Sequence, residues 1–99
     1  MTASRVDRNQ PAIVAELRKL GYSVTSTSEV RNGFPDIVVG KDSRNYLFEI
    51  KDPLQPPNKR QLTELEAKWH EGWRGQVHVA HSTEEILEVI RKDNEQCTN

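Results

Sequence analysis

The chain has one cysteine, Cys97, near the end of its 99 residues, which excludes an internal disulfide and a zinc site built from cysteines. That thiol reads as a tolerated tail residue rather than a nucleophile. No apolar run approaches the roughly 20 residues that a membrane-spanning helix needs. The opening "MTASRVDRNQ" has no apolar centre of the kind a signal peptide carries, so a soluble cytoplasmic protein without membrane association is expected. Charge of one sign is also missing: the net charge of −1 gives no global footprint of a nucleic-acid binder. The distribution is less even. Residues from 82 onward are acidic, whereas Lys41, Arg44, Lys51, Lys59, Arg60, Lys68 and Arg74 fall in the middle, where they can form a local basic patch or simply a solvated surface. The three histidines, His70, His78 and His81, lack metal-ligand spacing and read as surface or hydrogen-bonded residues.

What is present suffices for one small core. Hydrophobic residues at 34% and charged residues at 29% describe a polar globular chain, and the length fits a single domain over residues 1–99. The first element is expected to be a helix from Arg8 or Gln10 to Leu20, with Ile13, Val14, Leu17 and Leu20 on one stripe, Asp7 or Asn9 as cap, and Pro11 in its first turn. "YSVTS" reads as a short strand and "TSEVRNGFP" as a loop. "DIVVG" and "NYLFEIK" read as a hairpin joined near residues 41–44. "DPLQPPNKRQ", with three prolines, must be irregular, and a loop that long in so small a domain points to function or motion. A second helix over Thr63 to Gly72 places Leu62, Leu65, Trp69 and Trp73 at core spacing, with base stacking as the other use of the tryptophans. "QVHVAH" gives the last strand, and Ser82 with Glu85 forms a capping box for a helix ending near Arg91. The order is αβββαβα, an α/β fold with a mixed central sheet flanked by helices.

Three charges stand inside the most apolar stretch, "GFPDIVVGKDSRNYLFEIKDP". Strand alternation puts Leu47, Glu49 and Lys51 on one face and Tyr46, Phe48 and Ile50 on the other. A two-residue turn at Asp42 and Ser43, or a four-residue loop from Lys41 to Arg44, sets Asp36 opposite Glu49 in either case. Two carboxylates about 5 Å apart repel by roughly 3 kcal/mol at an effective dielectric of 20, more than an exposed lysine returns. A divalent cation removes the conflict, since Mg²⁺ accepts one or two carboxylates plus water. Lys51 beside it would orient or deprotonate a water, or stabilise a charged transition state. The competing reading is that Asp36 merely ends a loop while Glu49 and Lys51 pair with each other in solvent.

Pro35 and Asp36 followed by Glu49-Ile50-Lys51 resemble the PD-(D/E)xK nuclease motif. More narrowly, "RVDRNQPAIVAELRKLG", "GFPDIVVG", "NYLFEIKD" and "LTELEAKWHEGWRGQVHVAHSTEEIL" resemble the VRR-NUC proteins, the small stand-alone nucleases of phages and bacteria related to Holliday-junction resolvases. The likeness runs from about Val6 to Ile90. It implies a restriction-endonuclease-like core, and metal-dependent hydrolysis of DNA phosphodiesters in a bacterial or phage-infected cell. It further implies Asp36 and Glu49 as Mg²⁺ or Mn²⁺ ligands, the Ile50 carbonyl as a further ligand, and Lys51 near the attacking water. Branched DNA as substrate, a homodimer and the absence of a small-molecule cofactor follow from the same resemblance.

The family also places a polar or acidic residue on the first helix facing the metal. Gln10, about 30° from the centre of the apolar stripe, faces inward and is favoured, together with Asn9, over Glu16, which falls about 90° away yet supplies the acid that the broader fold prefers. Glu66 is either the return half of a capping box with Thr63 or a partner of Lys51. Lys59 and Arg60, ending the proline-rich loop, suit contact with a DNA backbone; no helix has a base-reading pattern, so selection by DNA shape is expected. A non-catalytic binding module that retains the fold, or a nickase or restriction-like nuclease acting on other DNA shapes, are the competing functions.

Overall fold

The computed structural model describes residues 7–97; Val6 and the side chain of Cys97 lie outside the described residues. Along the chain run α1 (Gln10–Lys19), β1 (Ser23–Ser26), β2 (Ile37–Lys41), β3 (Arg44–Ile50), a short 3-10 turn (Pro57–Lys59), α2 (Glu64–Gly72), β4 (His78–Ala80) and α3 (Thr83–Cys97). The expected αβββαβα order is therefore observed. The four strands lie in the order β1-β2-β3-β4. The first three pair antiparallel, and β4 joins β3 in parallel. A parallel pair needs a crossover, and the proline-rich loop with α2 supplies it.

The hairpin turn is the two-residue one. Asp42 and Ser43 both take positive φ, 52° and 64°, the conformation whose twist matches that of the flanking strands. It pairs Ile37 with Phe48 and Val39 with Tyr46, so one face of the sheet carries Ile37, Val39, Tyr46, Phe48 and Ile50, all fully buried. Ile13 and Leu17 of α1 and Ile86 and Ile90 of α3 complete this core. Each such side chain contributes about 1.5–3 kcal/mol on burial. The opposite face, carrying Leu47, Glu49 and Lys51, is left for α2 and the proline-rich loop.

Three expectations are corrected. Asn9 stands at the α1 N-cap position, but neither it nor Asp7 caps the helix with its side chain; the Asn9 amide is used elsewhere. α3 runs past Arg91 to Cys97, because its last turns are held by polar contacts that hydrophobic spacing cannot reveal. Tyr46 Oη donates to Asp93 at 2.8 Å, Arg44 donates to Asn94 at 2.6 Å, and Arg91 bridges Glu88 and Glu95. Finally, α2 buries no residue. Leu65 is 59% exposed and Trp73 43%, since the sheet face nearest to them is charged and the core has formed on the other side.

Candidate metal centre

Just beyond the Ile37–Phe48 pair that ends the β2–β3 ladder, the Asp36 and Glu49 carboxylates come into contact. Asp36 N donates to the Phe48 carbonyl at 2.9 Å, and the Asp36 carboxylate accepts from Ile50 N at 2.7 Å, which fixes the acid at the strand end. Glu49 and Lys51 share the same face, as alternation requires, and both are buried, at 3% and 7% exposure. The reading of them as solvent-facing strand residues fails on this point.

Lys51 Nζ lies 3.8 Å from Glu49 but donates to Glu66 Oε1 at 2.9 Å. The same Glu66 oxygen accepts from Thr63 N at 2.8 Å, while the Thr63 hydroxyl accepts from Glu66 N. The two readings of Glu66 are thus both met: the capping box aims the carboxylate, and the carboxylate holds the lysine.

Burial is the main reason that the acids hold their protons tightly here. It pushes Glu49 up to about 10, with the adjacent Asp36 carboxylate as the next cause. Asp36 is raised by burial against the opposing bond from Ile50 N. For Lys51 burial pulls down, but the bond to Glu66 and the surrounding carboxylates outweigh it and raise the ammonium. Burial likewise opposes ionisation of Glu66, yet Lys51 and Thr63 N bring its carboxyl below the usual range. One oxygen of Glu49 is buried without any hydrogen-bond partner, an arrangement that costs free energy unless something fills it.

These groups open onto a cleft of about 450 Å³, walled by Gln55, Asn58, Lys59, Gln61, Leu62 and Thr63 from the loop and α2. Among the described residues no three His, Cys, Asp or Glu side chains form a ready-made metal cage. The donor set suits a cation that keeps most of its water. Two adjacent carboxylates, one with an unpartnered oxygen, fit Mg²⁺ or Mn²⁺, which bind through one or two carboxylates and retain waters.

The supporting residues separate. Gln10 is 3% exposed and faces inward, donating to the Ser28 hydroxyl at 3.4 Å, but it does not line the cleft. Asn9 donates to the carbonyls of Lys51 and His81 at 3.2 and 3.0 Å, tying the start of α1 to the ends of β3 and β4. Glu16 accepts from the Thr83 hydroxyl of α3, outside the cleft. Lys59 lines the cleft and Arg60 does not. Asp7 is the acid that sequence reasoning passed over as a cap. It lines the cleft with Asp36 and Glu49, and burial raises its carboxyl while Lys51 partly offsets the rise. No local pattern marks it, because Asp7 precedes α1 and reaches the cleft only through the approach of β3 to the start of that helix.

α2 is seated by the β1–β2 loop. Gly33, at φ 88°, passes so close that a Cβ would lie 2.5 Å from the Leu65 carbonyl oxygen, so any side chain would push the helix off. Phe34 next to it meets the Trp69 ring edge-on at 5.0 Å.

No family model matches the chain, nor does any curated protein. A solved structure described as a VRR_NUC domain is similar over 85% of this chain and 91% of its own, at a TM-score of 0.58 and 25% identity. The likeness supports assignment to the VRR-NUC family. The VRR-NUC match agrees with the mixed sheet and helix order of a restriction-endonuclease-like core, and it makes this a domain of nuclease-type fold. Among the described residues, no helix is long and apolar enough to cross a membrane.

Proposed function

We propose that the chain is a Mg²⁺- or Mn²⁺-dependent endonuclease that hydrolyses DNA phosphodiesters, with branched DNA such as a Holliday junction as substrate and a homodimer as the acting form. The observation that carries the reading is the buried Asp36–Glu49 pair, with one Glu49 oxygen unpartnered and Lys51 beside it. A cation held by Asp36 and Glu49, with the Ile50 carbonyl as a further ligand, would supply charge neutralisation and Lewis-acid activation. Lys51, charged and pointed by Glu66, would donate a hydrogen bond to the attacking water or to a phosphate oxygen and stabilise the negative charge that develops there. Asn9 would steady the Lys51 backbone, and Lys59 would meet the phosphate chain at the cleft mouth. Branched substrate and dimer rest on the family resemblance and on the small size of the chain.

The test is incubation of a synthetic four-way junction with Mg²⁺ or Mn²⁺, with light scattering for the oligomeric state. Cleavage is expected, and Asp36→Ala and Lys51→Ala are expected to abolish it while circular dichroism reports an intact fold. If junction, flap, nicked, linear duplex and single-stranded DNA all survive with either metal, the enzymatic reading is wrong. Comparing those substrates also separates a junction enzyme from a nickase or restriction-like nuclease.

A second reading has one observation in its favour: Lys51 is tied to Glu66 at 2.9 Å instead of standing free for a water. In that case the chain is a non-catalytic DNA-binding or protein-interaction module. Junction binding in EDTA, unchanged by Glu49→Gln and without turnover in metal, is its signature.

A further inference from the structure

The surface of α2 that fails to join the core is organised. Trp69 and Trp73 stack, with ring centroids 4.5 Å apart and planes inclined by only 19°. Phe34 braces Trp69 from the β1–β2 loop, and Gly75 tucks under the other tryptophan so closely that a Cβ would lie 2.9 Å from Trp73 Nε1. Trp73 is fixed on Trp69 and yet remains 43% exposed. Phe34 thus meets the edge of Trp69, Trp69 stacks on Trp73, and Gly75 lies at the Trp73 Nε1 side, leaving the rest of that indole as the exposed part of the pair.

Two exposed cations flank that pair in sequence, Lys68 beside Trp69 and Arg74 beside Trp73. Neither makes an ion pair among the described residues. The same helix turns Glu66 into the cleft, one turn before His70 and adjacent to the tryptophan stripe. A half-exposed indole followed in the chain by exposed Arg74, on the helix whose Glu66 lines the cleft together with Lys59, matches an unpaired nucleobase with its phosphate nearby.

We propose that Trp69 and Trp73 form a stacking bed for an unpaired base of single-stranded DNA. This rests on the DNA reading above, but not on catalysis. On a branched substrate it would hold a base displaced at the branch, and because every base offers a π-face it would select for unpairing and not for sequence.

The two tryptophans are the only ones in the chain, so the intrinsic fluorescence reports on this bed alone. In EDTA, titration with an oligothymidylate of about 12 nucleotides is expected to quench the emission, and a blunt duplex of the same length is not. Binding followed by anisotropy of a labelled oligothymidylate should weaken about tenfold in Trp73→Leu and recover to within about threefold in Trp73→Tyr, which restores a ring. Circular dichroism and a melting curve verify folding; Trp73→Met, which also removes the ring, serves if the leucine variant does not fold. Absence of quenching, equal quenching by the duplex, or equal affinity in Trp73→Leu and wild type overturns the bed. An emission shift that follows protein concentration without DNA also overturns it, by making a second copy the occupant. Because no metal is present, metal-dependent cleavage without quenching refutes the bed and spares the nuclease reading, and quenching without cleavage does the opposite.

Discussion

One oxygen of Glu66 holds Lys51 Nζ at 2.9 Å and closes the N-terminal cap of α2 through Thr63 N at 2.8 Å. A helix cap and a candidate catalytic lysine thus share one acceptor, and the direction of the ammonium is set by where α2 begins. Glu66→Gln keeps an acceptor for Thr63 N but loses the charge facing Lys51. It is expected to lower the melting temperature, because the buried ammonium loses its charged partner, and to lower kcat about 10- to 100-fold, the scale of a slightly misplaced group. Glu66→Ala loses the cap bond as well, at about 0.5–2 kcal/mol. Thermal melts of both variants beside cleavage rates separate the two roles.

Without metal, the folded protein should lose stability as pH rises. Glu49 is pushed from its ordinary range up to about 10 by burial and then by Asp36. The folded state therefore keeps a proton that the unfolded chain has released. For an acid raised on folding, the associated stability is fully present below the unfolded value near 4.5 and is lost as pH climbs toward the folded one. Asp36, raised for the same leading cause, acts in the same direction. Urea titrations in EDTA between pH 5 and about 9 should show a declining unfolding free energy, and Glu49→Gln should flatten much of the decline. A rise across that range in the wild type would contradict it.

Metal should reverse this trend. Mg²⁺ or Mn²⁺ competes with the proton for the carboxylate pair, so each should raise the melting temperature, more at pH 8 than at pH 6, and release protons on binding. At a free concentration of 100 times Kd the gain is about 2.7 kcal/mol. Asp36→Asn and Glu49→Gln are expected to lose the effect, whereas Lys59→Ala, which carries no ligand oxygen, should keep it. Scanning calorimetry across metal concentration measures this directly.

The hairpin was legible in the sequence because its constraints were redundant. Either turn length gave the same opposition of Asp36 and Glu49, and strand alternation placed Lys51 with them; in the structure all three line one cleft, with the two carboxylates in contact. α2 was misjudged because Leu65, Trp69 and Trp73 repeat at helical spacing whether the stripe packs on a core or forms a surface of its own. The end of α3 was missed because Asp93 and Asn94 are held by Tyr46 and Arg44, residues nearly fifty positions away. No local pattern carries such a contact. Asp7 was assigned to capping because Asp is a favoured cap residue, and only the approach of β3 to the start of α1, through Asn9 and Lys51, shows that its carboxylate faces the cleft.

The two acids at the first helix should accordingly behave in opposite ways. Asp7 lines the cleft near Lys51, Asp52 and Glu66 and makes no side-chain cap to α1, so Asp7→Asn should leave the unfolding free energy within about 0.5 kcal/mol of wild type. Its loss removes negative charge from the cation's surroundings, and the metal concentration for half-maximal cleavage should rise several-fold. Glu16 instead accepts from the Thr83 hydroxyl and so joins α1 to the first turn of α3. Thr83 is buried, and Glu16→Ala leaves its hydroxyl without that acceptor, at about 1–3 kcal/mol. Metal dependence of the remaining activity should not move. Metal titrations and melts on the two variants decide the matter: if Glu16→Ala shifts the metal dependence and Asp7→Asn does not, the acid that serves the cleft is the one on the helix and not the one before it.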